Sequence, residues 1–455
     1  MRDFHQKSPR ILIGISEGEY YGHQFGALVR LMPNATYRFI GFSWCTGLEL
    51  RRAGHDFRHS PWVRTRSSDS IGNPIISELI GRGGRPGANR NTVMDALVHL
   101  KAFVKEEIDD FSPDIVIYGP SDHAINYLLD TAANEAGIPR LGLQPSFLSD
   151  HFIVNPWGPR WQEAIQQAQI PEEGSPPGVE PKDLFIPRGF RSVPAPRPSL
   201  HFPQLLRGAE CLARILTGRP TFETLSSLAA STKAKLAPAP WFPYLQTIES
   251  ESDVPDGSIL MVLNQPTLEA HATNCSDLIR LTTALAPKDT PVILRPHPIE
   301  TPNDEFGHLE SSLRERGVKV SRAGRGPSLS RLVERCRTLV TINSAVGMEA
   351  LSHGKTVLAL GPAFYVREGL AQAVDPSRPE KLADMLDHPE AYRPDPLQVA
   401  KFANWLIQRL MAPSPIIESP FGRTLAEHIR VAVQGHPVEA GRPPAAIRSP
   451  ERKAE

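Results

Sequence analysis

Between residues 258 and 360 the chain repeats one unit: a short, β-branched apolar run followed by an amphipathic stretch of helical period. The apolar runs fall at 258–263, 292–294, 318–320, 339–342 and 356–360, and helical patterns fill 276–285, 305–316, 328–335 and 347–353. Runs this short and this uniformly apolar suit strands covered on both faces. Strands separated by helices of this length can only pair in parallel, through right-handed crossovers. The pattern therefore predicts a doubly wound α/β lobe.

The same alternation opens the chain. Ile11-Leu12-Ile13-Gly14-Ile15 reads as a buried strand, followed by a glycine-containing loop and a helix through Phe25, Leu28, Val29 and Met32. A second strand is expected at 38–42. A helix over 92–109 carries Val93, Leu97, Leu100, Val104 and Ile108 on one face. Strands at 113–119 and 138–144 flank a helix over 122–136, capped by Ser121 and closed by Gly137. The expected fold class is α/β, with two Rossmann-like lobes facing a cleft. The dinucleotide fingerprint GxGxxG does not follow the first strand, so no nicotinamide cofactor is inferred.

At 455 residues, two domains and a tail are the natural division. The first lobe is assigned to 1–156 and the second to 253–395. Between them, 157–252 reads as a proline-rich insertion or linker with helical stretches around 204–216 and 222–236; the nine prolines between Pro171 and Pro203 exclude regular helix or central strand in that part. Helices over 396–434 are placed to cross back to the first lobe, and 435–455 reads as a disordered tail.

Lys plus Arg and Asp plus Glu number 50 each, so the chain lacks the field of a nucleic-acid binder. The arginines between Arg51 and Arg90 read as a solvated face. Cys45, Cys211, Cys275 and Cys336 form no CxxC pair, which argues against a disulfide framework or structural zinc. The first residues show no apolar stretch of signal-peptide length, and no run reaches the roughly 18 apolar residues of a membrane span. A soluble, cytoplasmic protein is expected, with any membrane contact peripheral to the inner face.

Two strand ends carry the chemistry. The run 292–294 leads into Arg295-Pro296-His297-Pro298, and 339–342 leads into Asn343-Ser344 and a helix. Ligands of parallel sheets bind outside the carboxyl ends of the strands. One edge offers a guanidinium and an imidazole. The other offers a hydroxyl, an amide and the N–H groups of a helix start, which favour an anion. The expectation is a phosphate site, with His23 as a cleft histidine in the first lobe.

Arg295-Pro296-His297-Pro298, Thr341-Ile342-Asn343-Ser344-Ala345-Val346-Gly347-Met348-Glu349-Ala350-Leu351, His353-Gly354-Lys355 and Leu360-Gly361-Pro362-Ala363-Phe364-Tyr365 together resemble capsular polysaccharide biosynthesis proteins. That family includes the β-Kdo transferases that start a capsule linker on a phospholipid. The resemblance implies a glycosyltransferase of the GT-B arrangement, with a CMP-activated donor such as CMP-Kdo in the second lobe. It implies that His297 contacts the donor phosphate beside Asn343 and Ser344, that Glu349 accepts from a ribose, and that Arg295 pairs with the phosphate or a sugar carboxylate. It places Gln265 on donor or acceptor, and implies a glycan or glycolipid acceptor. No cofactor or metal is expected.

One departure stands out. Where members of the family carry N-lobe carboxylates, this chain reads Gln144 and Asn155, whose amides serve neither as base nor as nucleophile. Asp150 is the substitute assigned to acid/base or nucleophilic work, together with His23. A nucleotide-sugar epimerase on the same fold and a non-catalytic binding protein stay open as alternatives.

Overall fold

The computed structural model describes residues 8–15, 25, 28–41, 44–60, 90–119, 124–148, 151–170, 209–210, 212–217, 242–263, 275–296, 304–324, 326–413 and 423–434. Two seven-stranded sheets organise them.

The first sheet is built from β1 (Arg10–Ile15), β2 (Thr36–Gly41), β3 (Phe57–His59), β4 (Ile115–Tyr118), β5 (Arg140–Pro145) and β6 (His151–Asn155). The second contains β7 (Gln246–Ile248), β8 (Ser258–Leu263), β9 (Val292–Pro296), β10 (Val320–Ala323), β11 (Cys336–Thr341), β12 (Thr356–Ala359) and β13 (Gln372–Ala373). A last strand, β14 (Met411–Pro413), completes the first sheet.

In the first sheet the order is β14-β6-β5-β4-β1-β2-β3, parallel except for β6, which runs antiparallel to both its neighbours, β5 and β14. In the second it is β13-β12-β11-β8-β9-β10-β7, parallel throughout. Each lobe therefore reverses direction about a central strand, β1 in one and β8 in the other.

The helices follow from burial. In the first lobe they are α1 (Trp44–Arg52), α2 (Arg90–Phe111), α3 (Ala124–Glu135) and α4 (Trp161–Gln167). In the second they are α5 (Cys275–Leu285), α6 (Asp304–Glu315), α7 (Leu329–Arg335), α8 (Val346–Ser352) and α9 (Pro379–Asp387). Then come α10 (Pro396–Arg409) and α11 (Leu425–Val433). Helix α2 buries Leu97, Leu100, Val104 and Ile108, the stripe read from its period. Helix α3 ends where Gly137 takes φ +66°, a conformation favouring glycine, and Ile138 N–H returns to Ala133 O at 2.9 Å.

The lobes are joined through a shared core. Phe147, just past the carboxyl end of β5, lies 6.4 Å from Phe364, past the carboxyl end of β12. Trp161 of α4 stacks on Phe364 at 5.7 Å, and Phe402 of α10 at 6.4 Å. On this flank the carboxyl edges of the two sheets face each other. Helix α10 carries the chain back, and β14 pairs antiparallel with β6. Arg367 of the second lobe donates to Ile165 O and Ala168 O, both at 2.7 Å.

Several elements were not read from the sequence. Strands β3, β7, β13 and β14 have two or three residues each, too few to display an alternation. Strand β6 sits before Pro156 and reads as the approach to a turn. Within the proline-rich 157–252, α4 and β7 are regular and were not read, whereas the helix at 209–210 and 212–216 falls in the stretch expected to be helical. That stretch buries Glu210 and Arg214, and His59 Nε2 lies 2.9 Å from Glu210 Oε1.

Candidate functional site

The central strand of the second lobe fixes where a ligand can sit. From β8 the chain steps to β9 and β10 on one side, then crosses to β11 and β12 on the other. At such a switch point the ligands of parallel sheets bind outside the carboxyl ends of the strands on either side. Thr341, Val262 and Arg295 lie in register across β11, β8 and β9. The residues singled out on the two strand ends are thus brought to one edge, two strands apart. His297 follows directly after β9 and Gln265 follows β8, but both lie outside the described residues, as do His23 and Asp150.

Arg295 is half-buried, and its Nη1 donates to Gly324 O at 2.5 Å. Gly324 N–H in turn donates to Ile248 O at 2.9 Å, so the loop after β10 holds the guanidinium from one side. Among the described residues no carboxylate pairs with Arg295; burial alone acts on it, lowering its pKa from the usual guanidinium value. A guanidinium presents five N–H donors in a planar fork. Among the described residues one carbonyl takes up part of that capacity.

The opposite edge is tightly wired. Thr341 Oγ1 donates to Val262 O and accepts from Ser344 N, both at 3.3 Å. Ser344 Oγ accepts from Val346 N at 3.4 Å. Gly347 N and Met348 N bond back to Ser344 O and Ala345 O, each at 3.0 Å. The first-turn amides of α8, expected to be free for an anion, are thus taken up by the chain itself. A tight i to i+3 turn forms because small residues let the backbone close early. An anion at this edge meets side chains, not a row of open amides. Asn343 is buried and Ser344 half-buried.

Glu349 is turned inward, 2% exposed, and its Oε2 has no hydrogen-bond partner among the described residues. Burial raises its carboxyl above the usual glutamate range, opposed by a hydrogen bond from Ser330. The folded chain holds this proton more tightly than the unfolded chain does. Its contribution to stability is full below the unfolded glutamate value and is lost as pH rises through the folded one. Glu349→Gln is neutral at every pH and should remove that loss. Its melting temperature relative to wild type is expected to rise between acid and neutral pH; an unchanging difference would contradict the assignment.

In the first lobe the two amides differ. Asn155 is fully buried, its Nδ2 donating to Gly158 O at 2.7 Å and its Oδ1 accepting from Trp157 N at 2.8 Å. Both ends of the amide are used to close the turn, and a carboxylate could not make the first bond. Gln144 is 4% exposed at the carboxyl end of β5, and its Nε2 has no partner among the described residues. Beneath the turn, Asp130 accepts from Tyr118 Oη and from Arg140 Nε, the latter at 2.7 Å. This buried network holds β4, α3 and β5 together.

His353-Gly354-Lys355 is structural. Gly354 takes φ +66° to end α8, and Lys355 Nζ donates to Glu334 O at the end of α7 at 2.6 Å. The sequence reading gave no role to Gly347 or Tyr365. A Cβ at residue 347 would overlap the Tyr365 ring, whose hydroxyl donates to Ser344 O at 2.7 Å. The adjacency of Gly347 to the Asn-Ser pair was the available signal.

Residues 266–401 match the capsule polysaccharide biosynthesis protein family. The matched stretch takes in β9 through β13, and with them Arg295, His297, Asn343, Ser344 and Glu349; the resemblance carried by those motifs holds over it. His23 and Asp150 lie before it. No curated protein matches the chain in sequence.

Among solved structures, MnaA of S. aureus with UDP aligns at 11% identity and TM-score 0.36, covering 94% of this chain and 97% of that one. MurG of Acinetobacter baumannii aligns at 10% and 0.36, covering 94% and 99%. The UDP-GlcNAc 2-epimerase of Neisseria meningitidis, bound to UDP-GlcNAc, aligns at 13% and 0.32, covering 93% and 99%. The two-lobed description of the present chain rests on its own sheet topology. Among the described residues no helix is long and apolar enough to cross a membrane, and no His, Cys, Asp and Glu cluster is disposed to hold a metal ion.

Proposed function

We propose that the protein is a glycosyltransferase of capsular or surface polysaccharide assembly that draws on a nucleotide-activated sugar, with a CMP-sugar such as CMP-Kdo favoured. The observation that carries this reading is Arg295. It is a half-buried guanidinium without a carboxylate partner among the described residues, at the switch-point edge of a capsule-synthesis region. Burying a cation part-way without an anion is costly, and a bound phosphate or carboxylate supplies the missing charge.

In this reading Arg295, His297 and Ser344 gather on the donor phosphate. As the sugar–phosphate bond breaks, negative charge grows on the leaving phosphate. Donors fixed there stabilise the transition state more than the ground state. Glu349 offers a ribose hydroxyl a buried oxygen that has no partner among the described residues. Gln265, following β8, is assigned to donor or acceptor. Asp150 and His23 are assigned to proton transfer or attack from the first lobe, with a glycan or glycolipid acceptor, and the protein works in the cytoplasm at the inner membrane face without a metal or cofactor.

The amides at Gln144 and Asn155 favour one alternative, a donor-binding protein without turnover, since Asn155 is committed to a turn. An epimerase on the same fold is the other. Calorimetry against CMP- and UDP-sugars followed by product analysis separates them. Transfer to an acceptor supports the proposal, isomerisation of the donor supports an epimerase, and binding without product supports a binding protein. No binding to any activated sugar would end all three.

A further inference from the structure

The segment 363–365 touches both lobes, and its residues do different jobs. Gln166 Nε2 of α4 donates to Ala363 O at 2.7 Å, and Phe364 N donates to Gln162 Oε1, also of α4, at 3.1 Å. Phe364 is stacked among Phe147, Trp161 and Phe402. Tyr365 turns the other way. It is fully buried, lies edge-on to Phe364 at 5.1 Å, and donates to Ser344 O at 2.7 Å. Its ring occupies the space that the missing Cβ of Gly347 leaves open.

We infer that Tyr365 is a positioning residue, through which the contact of α4 with 363–364 sets the conformation of the loop 343–347. The inference rests on the donor-site reading for its functional meaning. The carbonyl that receives the Tyr365 hydroxyl also receives Gly347 N, so the same oxygen anchors the tight turn that presents Ser344. A shift of α4 relative to the second sheet pulls on 363–364. Phe364 and Tyr365 are consecutive, so the shift reaches Ser344 without passing through the sheet. A nucleotide held by Ser344 then favours one placement of α4, and the coupling is reciprocal.

The test uses the full chain and hydrogen exchange at the Gly347 and Met348 amides, both protected by the turn. Tyr365→Phe keeps the ring and removes one hydrogen bond, so exchange there should quicken roughly five- to tenfold, with little change in melting temperature. Gln166→Ala, remote in sequence and on α4, should quicken the same amides in wild type and add nothing in the Tyr365→Phe background. Independent effects of the two substitutions, or no effect of Tyr365→Phe on these amides, would overturn the inference.

CMP and UDP added to wild type separate this from the donor reading. Slower exchange at Gly347 and Met348 with nucleotide, weakened in Tyr365→Phe, supports both. Intact coupling between Gln166 and Tyr365 with no nucleotide bound by wild type overturns the donor reading and leaves the mechanical link standing.

Discussion

Arg295→Ala should lower nucleotide affinity roughly 10- to 100-fold, the equivalent of about 1.5–3 kcal/mol for hydrogen bonds to a charged group. Among the described residues the guanidinium gives one hydrogen bond, to Gly324 O. Removing it leaves a single backbone carbonyl to find water at the loop edge, so the fold should survive. Arg295→Lys keeps the charge but not the planar fork, and should recover only part of the affinity. Isothermal titration with CMP and UDP, alongside thermal melts, checks both variants. A folded Arg295→Ala protein with wild-type affinity would remove the residue from the site.

The second large effect is on stability. Phe364 is 2% exposed and sits where three rings from β5's loop, α4 and α10 meet. Truncation to alanine opens a cavity in the core shared by the lobes and should cost about 3–5 kcal/mol. Phe364→Leu refills most of that volume and should cost less. Urea unfolding measures both. A cost for Phe364→Ala within about 0.5 kcal/mol, typical of surface positions, would mean that the aromatic cluster does not hold the lobes together.

How much of this was legible beforehand depends on length and locality. Strand β8 is apolar in all but its first residue, β11 runs into the apolar 339–342, and helix α2 carries its stripe from Leu97 to Ile108, so pattern and periodicity identify them. The switch-point crevice was legible too, because Arg295 and Asn343-Ser344 each follow an apolar run directly. Edge strands were not legible. The three residues of β3 or β14 are strands only because a neighbouring strand supplies the ladder.

The misreading of the α8 start has a local cause. Polar residues ahead of a helix suggest open amides, but Ser344, Ala345 and Gly347 are small enough for the backbone to close on itself. Asn155 looked like a lost carboxylate from its position in the sequence. Its two hydrogen bonds across the 155–158 turn show an amide selected by geometry, since one partner is a carbonyl and the other an N–H. Tyr365 closed a motif that carried the resemblance, but no role could be read for it there. Its role exists only because 363–364 and 344 are brought together by three separate elements.

The central claim is that the phosphate of an activated sugar binds between the carboxyl ends of β9 and β11. Crystals of the protein soaked in CMP test it most directly. The account predicts phosphate density within hydrogen-bonding distance of Arg295 and the Ser344 hydroxyl, with the ribose towards Glu349. A nucleotide bound elsewhere, with Arg295 still donating only to Gly324 O, would contradict it.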